Sequence, residues 1–181
     1  DAGLLPSTGL AIAGDHGVAA AHTAIRPNVA LAEAGLLVPE TAATTRSWSA
    51  IARSNGGSAF VYAEDDDAAL LARRALEELA NESGAFRVLS AQEMVARSAD
   101  PEAWFGLEAE PGFVFEDAAA GGRMVPASSA SAGGYGPAEP RVATGLVLWG
   151  PGVRAGVRAP VLRQIDVALR AGFIPPEIVF T

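Results

Sequence analysis

Cysteine is absent, and so is lysine: all 13 basic residues are arginine. Without cysteine there are no disulfides, no thiolate metal ligands and no thiol nucleophile, and the redox compartment leaves no mark. Histidine is nearly absent too, so any imidazole chemistry rests on His16 and His22. No apolar run approaches the ~20 residues that span a bilayer. No basic-plus-apolar leader opens the chain, so a soluble chain without export signal or membrane anchor is expected. The sequence starts at Asp1 and runs at once into strand-like residues 8–13, which reads as an excised start. Basic stripes are missing as well. Twenty-one acids give a net charge of −8, with acids gathered at 64–67, 77–82 and 108–117 and the arginines scattered. That pattern excludes a nucleic acid polymer and an anionic membrane surface as partners.

What is present is enough for a core. Half of the 181 residues are apolar, and a chain of this length makes one domain at roughly 150 residues per domain. Residues 9–13 suit a buried strand that ends in Gly14-Asp15-His16-Gly17. Pro27 and Asn28 open a short helix, and Gly35 stops it. Residues 48–51 are extended, and 58–63, rich in aromatic and β-branched residues, form a strand. Residues 66–81 predict a helix led by acids, its apolar stripe including Leu71, Leu76 and Leu79, with Gly84 beyond its end. Residues 86–89 make a strand, and Ser90 with Glu93 fits a capping box that starts a helix at Ala91.

Pro111-Gly112 predicts a hairpin between 107–109 and 113–115. Residues 126–140 read as a surface loop, 144–149 as a strand of the same sheet as 8–13, and 164–171 as a helix. Strands alternating with helices indicate an α/β layer arrangement, with the hairpin as an insertion or sheet edge.

Gly14-Asp15-His16-Gly17 is the sharpest chemical feature. On a regular strand neighbouring side chains point to opposite faces, so Asp15 and His16 do not share a ligand there. A glycine on each side lets the backbone leave strand geometry, and the two side chains then converge. Carboxylate with imidazole is half of a site for zinc or a similar cation, although a catalytic zinc normally takes three protein ligands. As a bare tetrapeptide it also fits a polar strand-end turn. His22 is expected to be a solvent-facing or hydrogen-bonded loop residue rather than a third ligand, so zinc should bind weakly. Ser128, Ser129 and Ser131 lie in a loop with no activating base nearby in sequence and read as solubilising residues.

Several segments, taken in order, resemble the type I phosphodiesterase/nucleotide pyrophosphatase family of the alkaline phosphatase superfamily. Gly14-Asp15-His16-Gly17 is similar to that family's metal motif, and Arg26-Pro27-Asn28 through Leu37 to the helix that follows it. Asn55-Gly56-Gly57-Ser58-Ala59-Phe60-Val61-Tyr62 resembles a segment of bacterial members, and Glu110-Pro111-Gly112-Phe113 the stretch ahead of the last ligand. Gly150-Pro151-Gly152-Val153, Gly156 and Ile165-Asp166-Val167 resemble the closing strand and helix. The resemblance spans most of residues 1–181. A sulfatase or phosphomutase of the same superfamily fits these stretches less well.

The resemblance implies the C-terminal part of an alkaline-phosphatase-like domain, with a mostly parallel central sheet flanked by helices and a small β-hairpin insertion. It implies hydrolysis of a small phosphate-ester substrate by two zinc-like ions and a threonine or serine nucleophile, with Asp15 and His16 on the ion that activates the nucleophile. The nucleophile, its partner aspartate and the Asp-x-x-x-His pair have no counterpart in this chain. Ser131-Ala132-Gly133-Gly134-Tyr135 matches the Gly-Thr-His-Gly-Tyr pattern of the last ligand, but with Gly133 in place of the histidine. The chain as it stands is therefore expected to be inactive: either a portion of a phosphodiesterase or a non-catalytic binding or scaffold domain. A sheet that lacks neighbouring strands would also associate through its exposed edge.

Overall fold

The structure is a computed structural model of the chain, and residues 7–40 and 47–158 are described. In chain order the elements are β1 (Leu10–Ala13), β2 (Ala19–Ile25), α1 (Pro27–Glu33), β3 (Leu37–Val38), β4 (Ser47–Trp48) and β5 (Ala50–Ser54). Then come β6 (Ser58–Ala63), α2 (Asp66–Ser83), β7 (Phe86–Val88), α3 (Ala91–Ala96) and β8 (Phe105–Ala109). Strands β9 (Gly112–Phe115), β10 (Met124–Pro126), β11 (Ser131–Ala132) and β12 (Leu146–Trp149) complete the set. These residues divide into two units, one of residues 7–17 with 143–158, the other of 18–40 with 47–142.

The larger unit holds two four-stranded sheets. One has the order β5-β6-β8-β7 and is antiparallel throughout. Helix α2 lies on it and buries Ala68, Ala72, Leu76 and Leu79. These residues sit three or four apart, on one side of the helix. Leu71 lies one residue off that row and is 48% exposed, so it does not join the stripe with Leu76 and Leu79 as its hydrophobicity suggested. Gly84 and the Ser90–Glu93 box stand at the helix ends as expected, and the structure adds a cap at Asp65. Asp65 caps α2 by accepting from Ala68 N–H at 2.8 Å, and Gly84 takes the left-handed conformation after it. Ser90 and Glu93 form the expected capping box on α3. In the second sheet β2 is central, with β9 parallel on one side and β10 and β11 antiparallel on the other.

The parallel central sheet flanked by helices is not what forms. Among the described residues the strands make several small sheets with three helices, and every pairing except β2–β9 is antiparallel. The alternation β6-α2-β7 is real, and those two strands do run parallel. Strand β8, arriving after α3, inserts between them and pairs antiparallel with both. This is a split β-α-β arrangement, and hydrophobic periodicity carries no information about such an insertion.

The hairpin at Pro111-Gly112 is also corrected. The turn exists, with Phe113 N–H donating to Glu110 C=O at 3.1 Å and Gly112 at φ +93°. Proline followed by a positive-φ glycine is the type II pattern, whose twist splays the flanking strands instead of pairing them. It therefore sends β8 into one sheet and β9 into the other. Within 126–140, expected as loop, β11 and the end of β10 pair with β2.

In the smaller unit β1 pairs antiparallel with β12, so 8–13 and 144–149 share a sheet, with Leu10 opposite Trp149 and Ile12 opposite Val147. Residues 8–13 are not an interior strand, however. Leu10 and Ile12 are 51% and 57% exposed, because no described strand or helix covers that face of the ribbon. The expected helix at 164–171, and the Ile165-Asp166-Val167 match, lie outside the described residues.

Candidate metal-binding site

At the end of β1 the backbone leaves strand geometry as the flanking glycines allow. Gly14 N–H donates to Gly145 C=O at 3.1 Å, and a Cβ on Gly14 would fall 1.8 Å from Thr144 Oγ1, so the close approach of Thr144 requires glycine. Asp15 and His16 then turn to the same side. The backbone N–H of His16 donates to Asp15 Oδ1 at 2.8 Å, and Asp15 Oδ2 lies 3.9 Å from His16 Nε2. Nδ1 of His16 is 2.9 Å from Gly17 C=O. A carbonyl only accepts, so Nδ1 carries the proton and the neutral ring presents its lone pair at Nε2, toward the carboxylate. Ligating histidines are commonly oriented this way, with the second nitrogen donating to a carbonyl.

Donation from the His16 backbone N–H, then from its own N–H, then the charge of His16, hold the Asp15 carboxyl below its ordinary range. With the ring neutral the pair presents a carboxylate and a lone pair to one space, and with the ring charged the same two groups form an ion pair. Two donors on one tetrahedral zinc stand roughly 3.4 Å apart, so the observed spacing is somewhat open. Both side chains are exposed. Among the described residues no group of three or more histidine, aspartate or glutamate side chains is arranged to hold a metal ion. The donor set fits one cation by half.

His22 lies in the larger unit, in the middle of β2 rather than in a loop. Its Nδ1 is 2.8 Å from Thr23 Oγ1, and its ring meets Phe113 edge-on at 5.3 Å between centroids. Gly112 beneath it leaves room for the imidazole, since a Cβ there would sit 2.3 Å from Nε2. Ser129 Oγ donates to Ser131 C=O at 2.9 Å, a turn contact rather than an activated nucleophile.

The fold brings together two of the matched segments. Gly57 N–H donates to Gly133 C=O at 2.9 Å, and the Tyr135 ring lies against Gly57, where a Cβ would be 2.3 Å from Cγ. Tyr135 Oη then donates to Phe113 C=O at 2.7 Å. The Asn55-Gly56-Gly57 turn thus interlocks with Gly133-Gly134-Tyr135, backbone against backbone.

Sequence reasoning did not find Asn28 as a structural key, nor the pair Arg26–Glu116 at 3.0 Å, nor the reach of Arg123 to Glu33 and Glu82. These join positions 24 to 90 residues apart, and no local pattern signals them.

No family model, no curated protein and no solved structure matches this chain. Among the described residues no helix is long and apolar enough to cross a membrane.

Proposed function

We propose that the chain is part of a phosphate-ester hydrolase of the type I phosphodiesterase/nucleotide pyrophosphatase kind, with Asp15 and His16 holding one divalent cation, zinc by preference. The convergence of Asp15 Oδ2 and the Nε2 lone pair of His16, fixed by the Nδ1 contact to Gly17, carries this reading. A cation held there would supply Lewis-acid stabilisation to a phosphoryl oxygen. The protein's own part is to keep Asp15 ionised and His16 in the Nδ1–H form. The order of the matched segments, and the meeting of the Asn55 turn with the Gly133 loop, support the same family.

A second reading is a non-catalytic binding or scaffold domain. Gly133 favours it. Where the family has its last ligand, this residue offers no donor side chain, and its carbonyl is engaged by Gly57 N–H.

With two ligands for one ion and none for another, hydrolysis of a chromogenic phosphodiester with zinc or manganese is expected at the buffer rate, unchanged by Asp15→Ala. Metal-dependent turnover abolished by Asp15→Ala would show a complete site and overturn both readings. A longer reading frame encoding a threonine nucleophile and an Asp-x-x-x-His pair ahead of Asp1 decides for the hydrolase. A frame without them decides for the binding domain.

A further inference from the structure

The two edges of the β5-β6-β8-β7 sheet differ. The β5 edge is sealed. Ala50 N–H donates to Leu36 C=O at 3.2 Å, and Ser54 N–H donates to Asp117 Oδ1 at 2.6 Å. Between them Asn28 does what a neighbouring strand would do, accepting from Ala52 N–H at 2.8 Å and donating to Ala52 C=O at 3.0 Å.

The β7 edge is open. Leu89 N–H donates to Gly106 C=O at 2.8 Å and Glu110 N–H to Ala85 C=O at 2.9 Å. The alternation of an antiparallel ladder then turns the Arg87 backbone toward β8 and the N–H and C=O of Phe86 and Val88 outward. Among the described residues nothing pairs with those outward groups. Phe86 is only 4% exposed, so Val88 is the accessible position. Beside it lies a cleft of about 280 Å³ lined by Glu77, Ala80 and Asn81 of α2 and by Phe86, Arg87 and Val88.

The charge around the cleft is negative. Glu77, Glu78 and Glu82 are exposed on the second half of α2, and its last turn has no basic residue to offset the negative end of the helix dipole. Arg73 lies 3.2 Å from Glu77, and Arg123 is shared between Glu82 and Glu33, so these two arginines face four carboxylates in solvent-screened pairs and the balance stays negative. Arg87 does not compensate, because Glu93 and Glu108 hold its guanidinium. A second copy adding at β7 would set acidic helix against acidic helix.

We propose that β7 is the docking edge for an extended peptide segment with a basic side chain, which adds to the sheet as a fifth strand. Strand addition takes its affinity from the main chain and its specificity from the side chain that enters the pocket. The residue hydrogen-bonded to Val88 directs its side chain to the α2 face, where the cleft and Glu77 lie.

The test titrates the full chain, ¹⁵N-labelled, with a capped seven-residue peptide of alternating valine and threonine with a central lysine, and with its central-glutamate counterpart. The lysine peptide is expected to shift the Phe86 and Val88 amide signals and to bind at least ~5-fold tighter than the glutamate peptide. Glu77→Gln should narrow that difference. Val88→Pro removes the outward N–H, together with some of the valine's packing on the core, and should weaken the lysine peptide ~10-fold. A lysine peptide N-methylated at the residue facing Val88 makes the same test on the unaltered protein. Equal binding of the two peptides, shifts confined to other strands, or an unaffected N-methylated peptide would overturn the proposal. So would a dimer of the free chain that Val88→Pro abolishes, which assigns the edge to a second copy.

Discussion

Gly134→Ala is expected to destabilise the larger unit by about 4 kcal/mol or more, among the largest effects of a single methyl group. Two costs combine. Gly134 sits at φ +74°, where a side chain costs about 1–2 kcal/mol by itself. The added Cβ would also lie 1.6 Å from Asn55 C=O, a backbone atom that has nowhere to retreat. Moving Asn55 pulls on Gly56 and Gly57, and so breaks the 2.9 Å bond from Gly57 to Gly133. Gly35→Ala separates the two costs. Gly35 has nearly the same φ, +78°, with nothing within 4 Å of its Cβ position, so only the conformational part, about 1–2 kcal/mol, should appear. Urea unfolding followed by circular dichroism measures both. Equal losses at the two glycines would mean the interlocked loops do not hold the unit together.

Asn28→Leu is expected to cost about 3–5 kcal/mol although leucine keeps the same branched heavy-atom skeleton. Asn28 is fully buried, and both its amide protons are used, to Ala52 C=O at 3.0 Å and Asp117 C=O at 3.1 Å. The substitution strands those two carbonyls and Ala52 N–H, at about 1–3 kcal/mol for each buried group left unmade. Asn28→Asp keeps the acceptor for Ala52 N–H but turns an oxygen toward the two carbonyls. Burial raises that carboxyl in the folded state, so the unfolded chain releases the proton first, and stability should fall as pH rises from about 4 to 7. A pH series of denaturant midpoints checks the slope. A loss below about 1 kcal/mol for Asn28→Leu would contradict the role given to this residue.

Asn28 also shows what sequence conveys and what it does not. Next to Pro27 it reads as the opening of α1, and it is. That its amide closes the edge of β5 and reaches the backbone of residue 117 depends on packing across 24 and 89 residues. Signals confined to one turn were legible: the acids leading α2, the Ser90–Glu93 box, and the glycines at 35 and 84. Glu93 is held by more than that box. The hydrogen bond from Arg87 first, and those from Ser90 next, hold its carboxyl down at about 2.

Strand direction was not legible. A βα alternation is compatible with a parallel sheet or with a later strand placed between its two β members, and the choice of β8 for that place is tertiary. The Pro111-Gly112 turn was located correctly, yet its type, which decides whether the strands pair, follows from the φ of Gly112. At the candidate site, Asp15 and His16 were singled out because glycines bracket them. The Gly17 carbonyl that fixes the imidazole, and the place of His22 within a strand, needed coordinates.

A calorimetric zinc titration of the full chain, compared with His16→Ala, Asp15→Ala and His22→Ala, tests the Asp15–His16 assignment most directly. Weak, saturable binding is expected, with Kd of roughly 10⁻⁴ M or weaker for a two-ligand site. It should be lost in His16→Ala and Asp15→Ala and unchanged in His22→Ala. Tight binding reduced as much by His22→Ala as by His16→Ala, or binding indifferent to His16→Ala, would contradict it.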